Sequence, residues 1–255
     1  MLISITEKCR MGCSHCMDDA KADCDKFMSE EIFRKAIDFN LKYDPTITIT
    51  GGEPTEHPKF WEFMDIIAEK IAKKGSIALI VTTNGMNLTN GDIPKMRALR
   101  EKAGNKSLVS YQVTHVPEYY PIHVDLTLDV FKEPDVVIAD KIEYLQCIGR
   151  AKNHPEWKFY QPTAPKCFNF RSLIKGGCNI TDSVHSLRSM GKFCTPQISY
   201  DGHIKVGETT LCPNVAFITD SESLILRKIR SFTCSSCSHI TDRMPDYYKQ
   251  AIGEK

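Results

Sequence analysis

Cys9-Arg10-Met11-Gly12-Cys13-Ser14-His15-Cys16 places three thiols in one short loop, spaced C-x3-C-x2-C. The run before it, Leu2-Ile3-Ser4-Ile5-Thr6, crowds apolar side chains together and predicts a strand. The thiols therefore stand where a strand gives way to a loop, the place from which α/β folds present reactive side chains. Three thiolates are one ligand short of a closed tetrahedral zinc site. They are also one short of the four that usually hold an iron–sulfur cluster. A four-iron cluster held by three cysteines leaves one iron open to another ligand, and that open iron is the first candidate for the chemistry. The competing reading is a zinc ribbon with Cys24 as fourth ligand. Zinc sites usually arrive as two C-x2-C-like pairs, which this spacing is not.

Outward from the loop, strand and helix patterns alternate. Ser29 caps a predicted helix over 30–43, with Ile32, Ala36 and Ile37 on one face, and Asp44-Pro45 ends it. Thr46 to Thr50 is a β-branched strand that stops at Gly51-Gly52-Glu53-Pro54. Phe60, Phe63, Met64, Ile67 and Ile71 recur at helical spacing. A strand over 77–82 then ends in Thr83-Asn84-Gly85, and a helix over 93–102 and a strand over 108–114 follow. Runs at 124–130 and 136–148 also read as strands. The alternation implies a parallel sheet with right-handed crossovers. Six strands predict an α/β fold built on an open, partial (β/α)6 TIM-like barrel, since a closed eight-stranded one typically takes about 250 residues by itself. Glycines at a strand end admit a close-lying ligand, although turns need them too. Glu53 puts a carboxylate there that can hold an ammonium group, and Asn84 can hydrogen-bond a ribose.

The last third changes texture. Residues 151–192 are rich in Pro, Gly, Asn and Ser. Gln197 to Tyr200, Asp201-Gly202 and His203 to Val206 predict a β-hairpin with a two-residue type I′ turn. Cys194 precedes it, Cys212 follows it, and a helix over 221–231 leads to Cys234-Ser235-Ser236-Cys237. These four thiols make a plausible cage on a small β-hairpin-plus-helix module. The expected organisation is a barrel over 1–165, a linking segment over 166–190 and the module over 191–255.

The 255 residues are 42% apolar with a net charge of +1, which supports neither a nucleic-acid nor a membrane partner. No secretion signal or membrane-length apolar run is present, so a cytoplasmic location is expected. Eleven cysteines cannot all pair with one another, and without a secretion signal metal binding is the better account of them.

These motifs resemble those of the radical S-adenosylmethionine superfamily. Cys9, Cys13 and Cys16 match its C-x3-C-x-aromatic-C signature, with His15 in the aromatic slot, a departure that keeps a flat ring. Gly51-Gly52-Glu53-Pro54 is similar to its GGEP motif and Thr83-Asn84-Gly85 to its third-strand TNG. The resemblance implies a [4Fe-4S] cluster on the three cysteines. It also implies S-adenosylmethionine bound through His15, Gly51, Gly52, Glu53, Pro54, Thr83 and Asn84, with its methionine end on the open iron. An electron from a flavodoxin or ferredoxin-type donor would cleave the cofactor, and the 5′-deoxyadenosyl radical would take a hydrogen atom from a small-molecule or peptide substrate. Cys194, twelve residues, Gly207, four residues, Cys212 and the later pair Cys234 and Cys237 resemble a twitch domain, a shortened SPASM domain. That implies one auxiliary [4Fe-4S] cluster, with a zinc site on the same thiolates as the alternative.

The resemblance gives two enzymatic expectations. The first is a two-electron oxidation of a small polar molecule, as in the similar alcohol dehydrogenases of aminoglycoside pathways. The second is epimerisation, cross-linking or thioether formation on a ribosomally made peptide. Many such maturases begin with a peptide-binding domain, whereas this sequence begins at its first strand. A non-catalytic metal-binding protein is the third reading, disfavoured by the GGEP motif. Cys178 is a candidate hydrogen donor or replacement ligand, and Arg150 a candidate cofactor or substrate contact. His115, at a strand end, can face the barrel mouth, and Cys24, Cys147 and Cys167 read as packing residues.

Overall fold

The structure, a computed structural model, describes residues 1–140, 149–153, 196–206 and 213–231. Its spine is β2 (Thr46–Thr50), whose β-branched residues send Ile47 and Ile49 into the core with no exposure. β1 (Leu2–Ser4) pairs with it in parallel, Ile3 opposite Ile49. The helix α1 (Glu30–Tyr43) joins them. Ser29 caps its start by accepting from the Ile32 N–H. Its end is fastened by the buried Asn40, whose amide donates to the carbonyls of Asp44 and Thr46, so helix end and strand start are one joint.

The pattern then repeats. α2 (Phe60–Lys74), β3 (Ala78–Thr83), α3 (Ile93–Ala103), β4 (Leu108–Thr114) and β5 (Val136–Ala139) follow, each new strand parallel to the last. Phe33 of α1 stacks on Phe63 of α2 with centroids 3.9 Å apart, which locks the helical layer over the sheet. Because the strands are parallel, the loops after β1, β2, β3 and β4 all open on the same edge. The order β5-β4-β3-β2-β1-β6-β7-β8 leaves the sheet open, as a partial barrel requires. No described helix is long and apolar enough to cross a membrane.

On the other flank of β1, β6 (Pro196–Ile198) pairs in parallel, Ile3 opposite Ile198. β6 and β7 (His203–Val206) form the predicted hairpin, and β8 (Asn214–Phe217) and α4 (Glu222–Ser231) complete it. The hairpin thus continues the barrel sheet. Its turn corrects the sequence reading. A type I′ turn needs positive φ at both central residues. Here the described positive-φ residues include Gly202, at 87°, and not Asp201. The Gly202 N–H donates to Ser199 O and the Ser199 N–H to His203 O, so three residues form the loop and the glycine makes its bulge.

The expected strand at 124–130 is also absent. Asp125 accepts from the Thr127 N–H and hydroxyl, and a 3-10 turn spans Asp129–Lys132. Its apolar residues, Val130 and Phe131, reach the core from that turn rather than from a sheet. β5 covers the first part of the expected 136–148 strand, and residues 141–148 lie outside the described ones.

His57 ties the loop after β2 to the segment entering α1. Its Nδ1 accepts from the Lys59 N–H, so Nε2 carries the proton and donates to Met28 O at 2.9 Å. Burial lowers its pKa from the ordinary 6.5, so the neutral ring is the folded form. The unfolded chain then binds more protons below that value. The stability His57 contributes is complete above pH 6.5 and is lost as the pH falls from there toward its folded pKa. Thermal melts between about pH 7.5 and about pH 5.5 should fall more steeply for the native protein than for His57→Gln, which lacks the titration.

Candidate functional site

The thiol loop is hung from the end of β1 and seated on the loop after β2. The Gly52 N–H donates to Thr6 O and the Glu53 N–H to Lys8 O, both at 2.7 Å. This contact uses the glycine pair. A Cβ on Gly51 would lie 2.6 Å from Thr6 O, and one on Gly52 would lie 2.3 Å from Lys8 O, so no side chain fits at either. Within the loop, Gly12 turns the chain at φ 67°, the Cys16 N–H donates to Cys13 O and the Ser14 N–H to Tyr119 O.

Glu53 joins this assembly to β3. Its carboxylate is 1% exposed. Oε1 accepts from the Thr83 hydroxyl at 2.6 Å, the Thr55 hydroxyl at 2.6 Å and the Thr55 N–H at 3.1 Å. Oε2 accepts from the Asn84 N–H at 2.7 Å. Burial raises its pKa above the usual carboxylate range, and these four donors offset only part of that rise. Asn84, in turn, accepts from the Met86 N–H through Oδ1 and donates from Nδ2 to Cys9 Sγ at 3.6 Å. A single chain of contacts therefore runs from the acid after β2, through the turn after β3, to the first thiol after β1. Pro54 opens the short turn that follows Glu53 and is buried with it.

Thr55, Asn87 and Arg10 extend the network and were not singled out in the sequence. Asn87 donates to the Thr55 hydroxyl at 3.1 Å and accepts from Arg10 at 2.7 Å, while Glu56 accepts from the Arg10 N–H at 2.9 Å. Thr55 directly follows the glycine–acid motif, which is the one signal that could have found it.

Aromatic rings stand beside the loop. His15 stacks parallel to Tyr120 with centroids 5.8 Å apart and leans on Tyr119 at 5.2 Å. The Tyr120 hydroxyl donates to Thr114 at the end of β4, and burial raises the phenol above its ordinary pKa. His115 meets Tyr120 edge-on, and its buried Nδ1 has no hydrogen-bond partner among the described residues.

Arg150 reaches the loop from its far side. Nε donates to Cys13 O at 3.0 Å, and Nη1 donates to Ala20 O at 2.7 Å and to Asp19 at 3.1 Å. Cys178, Cys194, Cys212, Cys234 and Cys237 lie outside the described residues, as do Cys147 and Cys167.

The loop suits an iron–sulfur group better than a single ion. Cys9, Cys13, Cys16 and Cys24 are free thiols. Among the described residues no three His, Cys, Asp or Glu side chains converge to hold one metal ion, so the zinc ribbon through Cys24 is not assembled. Thiolates that each bind a different iron need not converge. The donors are all sulfur and all at least partly buried. In the cluster-free chain burial pushes the Cys9 thiol up to about 11 and Cys13 up to about 12, while Arg150 favours the Cys13 thiolate.

A family model described as the radical SAM superfamily matches residues 3–133. The molybdenum cofactor biosynthesis protein 1 of Mus musculus is 34% identical over 110 residues, which is 42% of this chain and 17% of that protein. The match therefore spans about a sixth of that curated relative. Among solved structures, BtrN in complex with AdoMet and 2-DOIA superposes with a TM-score of 0.58 at 13% identity, over 96% of this chain and 88% of that one. Streptococcus suis SuiB bound to S-adenosylmethionine gives a TM-score of 0.51 at 14% identity, over 92% and 67%. At these identities the superpositions speak to the fold alone.

The Glu53 network makes a direct prediction. In Glu53→Gln one terminal atom becomes a donor facing donors, which strands buried groups on β3. The variant should lose roughly 2 to 4 kcal/mol of stability in urea unfolding at neutral pH, with the cost set by unsatisfied partners of a charged acceptor.

Proposed function

The chain belongs to the radical SAM superfamily, and on that premise we propose that it is an enzyme working at an open four-iron cluster with S-adenosylmethionine, most specifically as an oxidoreductase for a small polar molecule. The observation that carries this reading is the contact chain Glu53–Asn84–Cys9, which brings the three motif loops together on one sheet edge. When bound, the cluster and cofactor supply a one-electron reductive cleavage whose product takes a hydrogen atom from a substrate carbon.

The chain's own residues have separable tasks in this proposal. Cys9, Cys13 and Cys16 hold three irons. Asn84 fixes the Cys9 sulfur and shares the cofactor pocket with Gly51, Gly52, Pro54 and Thr83. Glu53 Oε1 already accepts three protein donors, whereas Oε2 accepts one, so Oε2 retains the capacity to take an N–H from the methionine ammonium. His15, backed by Tyr119 and Tyr120, offers a flat face to the adenine side. In the same proposal Cys194, Cys212, Cys234 and Cys237 would hold an auxiliary cluster, which would supply an acceptor for the second electron. Cys178 is the candidate hydrogen donor if the reaction is instead an epimerisation, and a flavodoxin or ferredoxin supplies the first electron. The proposal assigns residues 1–165 to the barrel, 166–190 to a linking segment and 191–255 to the auxiliary module.

The small-molecule reading draws support from the fold likeness to BtrN, solved in complex with AdoMet and 2-DOIA, which extends over 96% of this chain and 88% of that one. Modification of a peptide is the second reading, favoured by the fold likeness to anSMEcpe, solved with bound AdoMet and Cp18Cys peptide, at a TM-score of 0.51 and 13% identity.

Anaerobic reconstitution should yield about eight irons per chain for two four-iron clusters, and about four with one zinc would remove the auxiliary cluster. Cys16→Ala should abolish 5′-deoxyadenosine formation. Persistence of that product in the variant would sink the reading. Removal of two electrons from substrate per cofactor cleaved identifies the oxidation, and solvent-derived hydrogen in the product identifies the epimerisation.

A further inference from the structure

The clasp on the thiol loop comes from three consecutive residues far along the chain. Gly149 sits at φ 55°, and a Cβ on it would lie 2.3 Å from Met17 O and 2.6 Å from Cys16 O. The Ala151 N–H donates to Cys16 O at 3.3 Å. Between them the Arg150 guanidinium spends Nε on Cys13 O and Nη1 on Ala20 O and Asp19. Its remaining nitrogen, Nη2, is buried and has no hydrogen-bond partner among the described residues. A guanidinium carries donors only, and one left buried without an acceptor marks a place where an acceptor belongs. The groups beside it are the thiol loop and whatever that loop binds.

We propose that Arg150 is a positioning residue for the iron–sulfur cluster: its Nε and Nη1 fix the backbone between Cys13 and Ala20, and its Nη2 and charge act on the cluster held there. This rests on the three-cysteine reading above and goes beyond it. Arg150 then serves the cluster loop through the backbone it holds. Two consequences separate. The backbone clasp needs the planar fork, which lysine cannot reproduce. The charge effect needs only a cation, and a nearby cation favours the more negative, reduced cluster and so raises its potential.

The test uses the full-length chain, with and without reconstituted cluster. In the cluster-free protein, Arg150→Ala should speed hydrogen exchange at residues 13–20 and at Ala151. In the reconstituted protein it should lose iron to a chelator several-fold faster, and its midpoint potential should move to more negative values. Arg150→Lys should recover most of the potential but not the chelator resistance. Arg150→Gln removes the charge but keeps a polar side chain of intermediate length, and it should shift the potential in the same direction as Arg150→Ala, which keeps the idea testable if the alanine variant folds poorly. Native iron retention and an unchanged potential in both Arg150→Ala and Arg150→Gln would overturn it. A native protein that takes up no cluster would overturn the functional reading as well, so the two failures are distinguishable.

Discussion

A buried carboxylate governs this structure. Glu53 lies at the end of β2 with almost no exposure, and an ion in that position is costly unless its oxygens are met by donors. They are met by Thr55 on its own loop and by Thr83 and Asn84 on the next strand. The cost of burying the charge is thereby converted into a constraint: the ends of β2 and β3 must hold one relative position. Because Asn84 also donates to Cys9, the constraint is passed to the thiol loop without any further element.

The same edge is secured by what is missing as much as by what is present. Gly51 and Gly52 lack side chains where Thr6 and Lys8 carbonyls approach, and Gly85 lies where a Cβ would stand 2.9 Å from Val113. Small residues allow three loops to lie against one another, and polar residues then decide how. A glycine pair after a strand can thus serve the fold and a ligand at once. The backbone contacts account for its presence before any ligand is considered.

Much of this was legible in the sequence because it is local. The Ser29 cap, the Asp44-Pro45 stop and the Thr-Ile alternation of β2 each carry their signal within a few residues, and α1, β2 and β4 stand where that signal puts them. The motif loops were legible for the same reason. What failed was decided elsewhere. Val124 to Val130 has the apolar content of a strand, but Asp125 captures Thr127 locally and Val130 is met by Asn90 from another loop. The hairpin turn was misjudged because Asp-Gly serves two loop lengths, and the choice depends on Ser199 pairing with His203. Thr55, Asn87 and Arg10 were invisible because their roles exist only once three separate loops have met.

The span between Arg150 and Cys13 has a bearing on how the protein is made. The two residues are 137 apart in sequence, and closing so long a segment is an entropic cost met only when the intervening strands are already paired. The thiol loop is synthesised well before residues 149–151, yet those residues supply backbone contacts to Cys13, Cys16 and Ala20. Its final shape is thus a late event of folding. Ordering of the thiol loop is, on this geometry, a step that follows assembly of the barrel rather than one that seeds it.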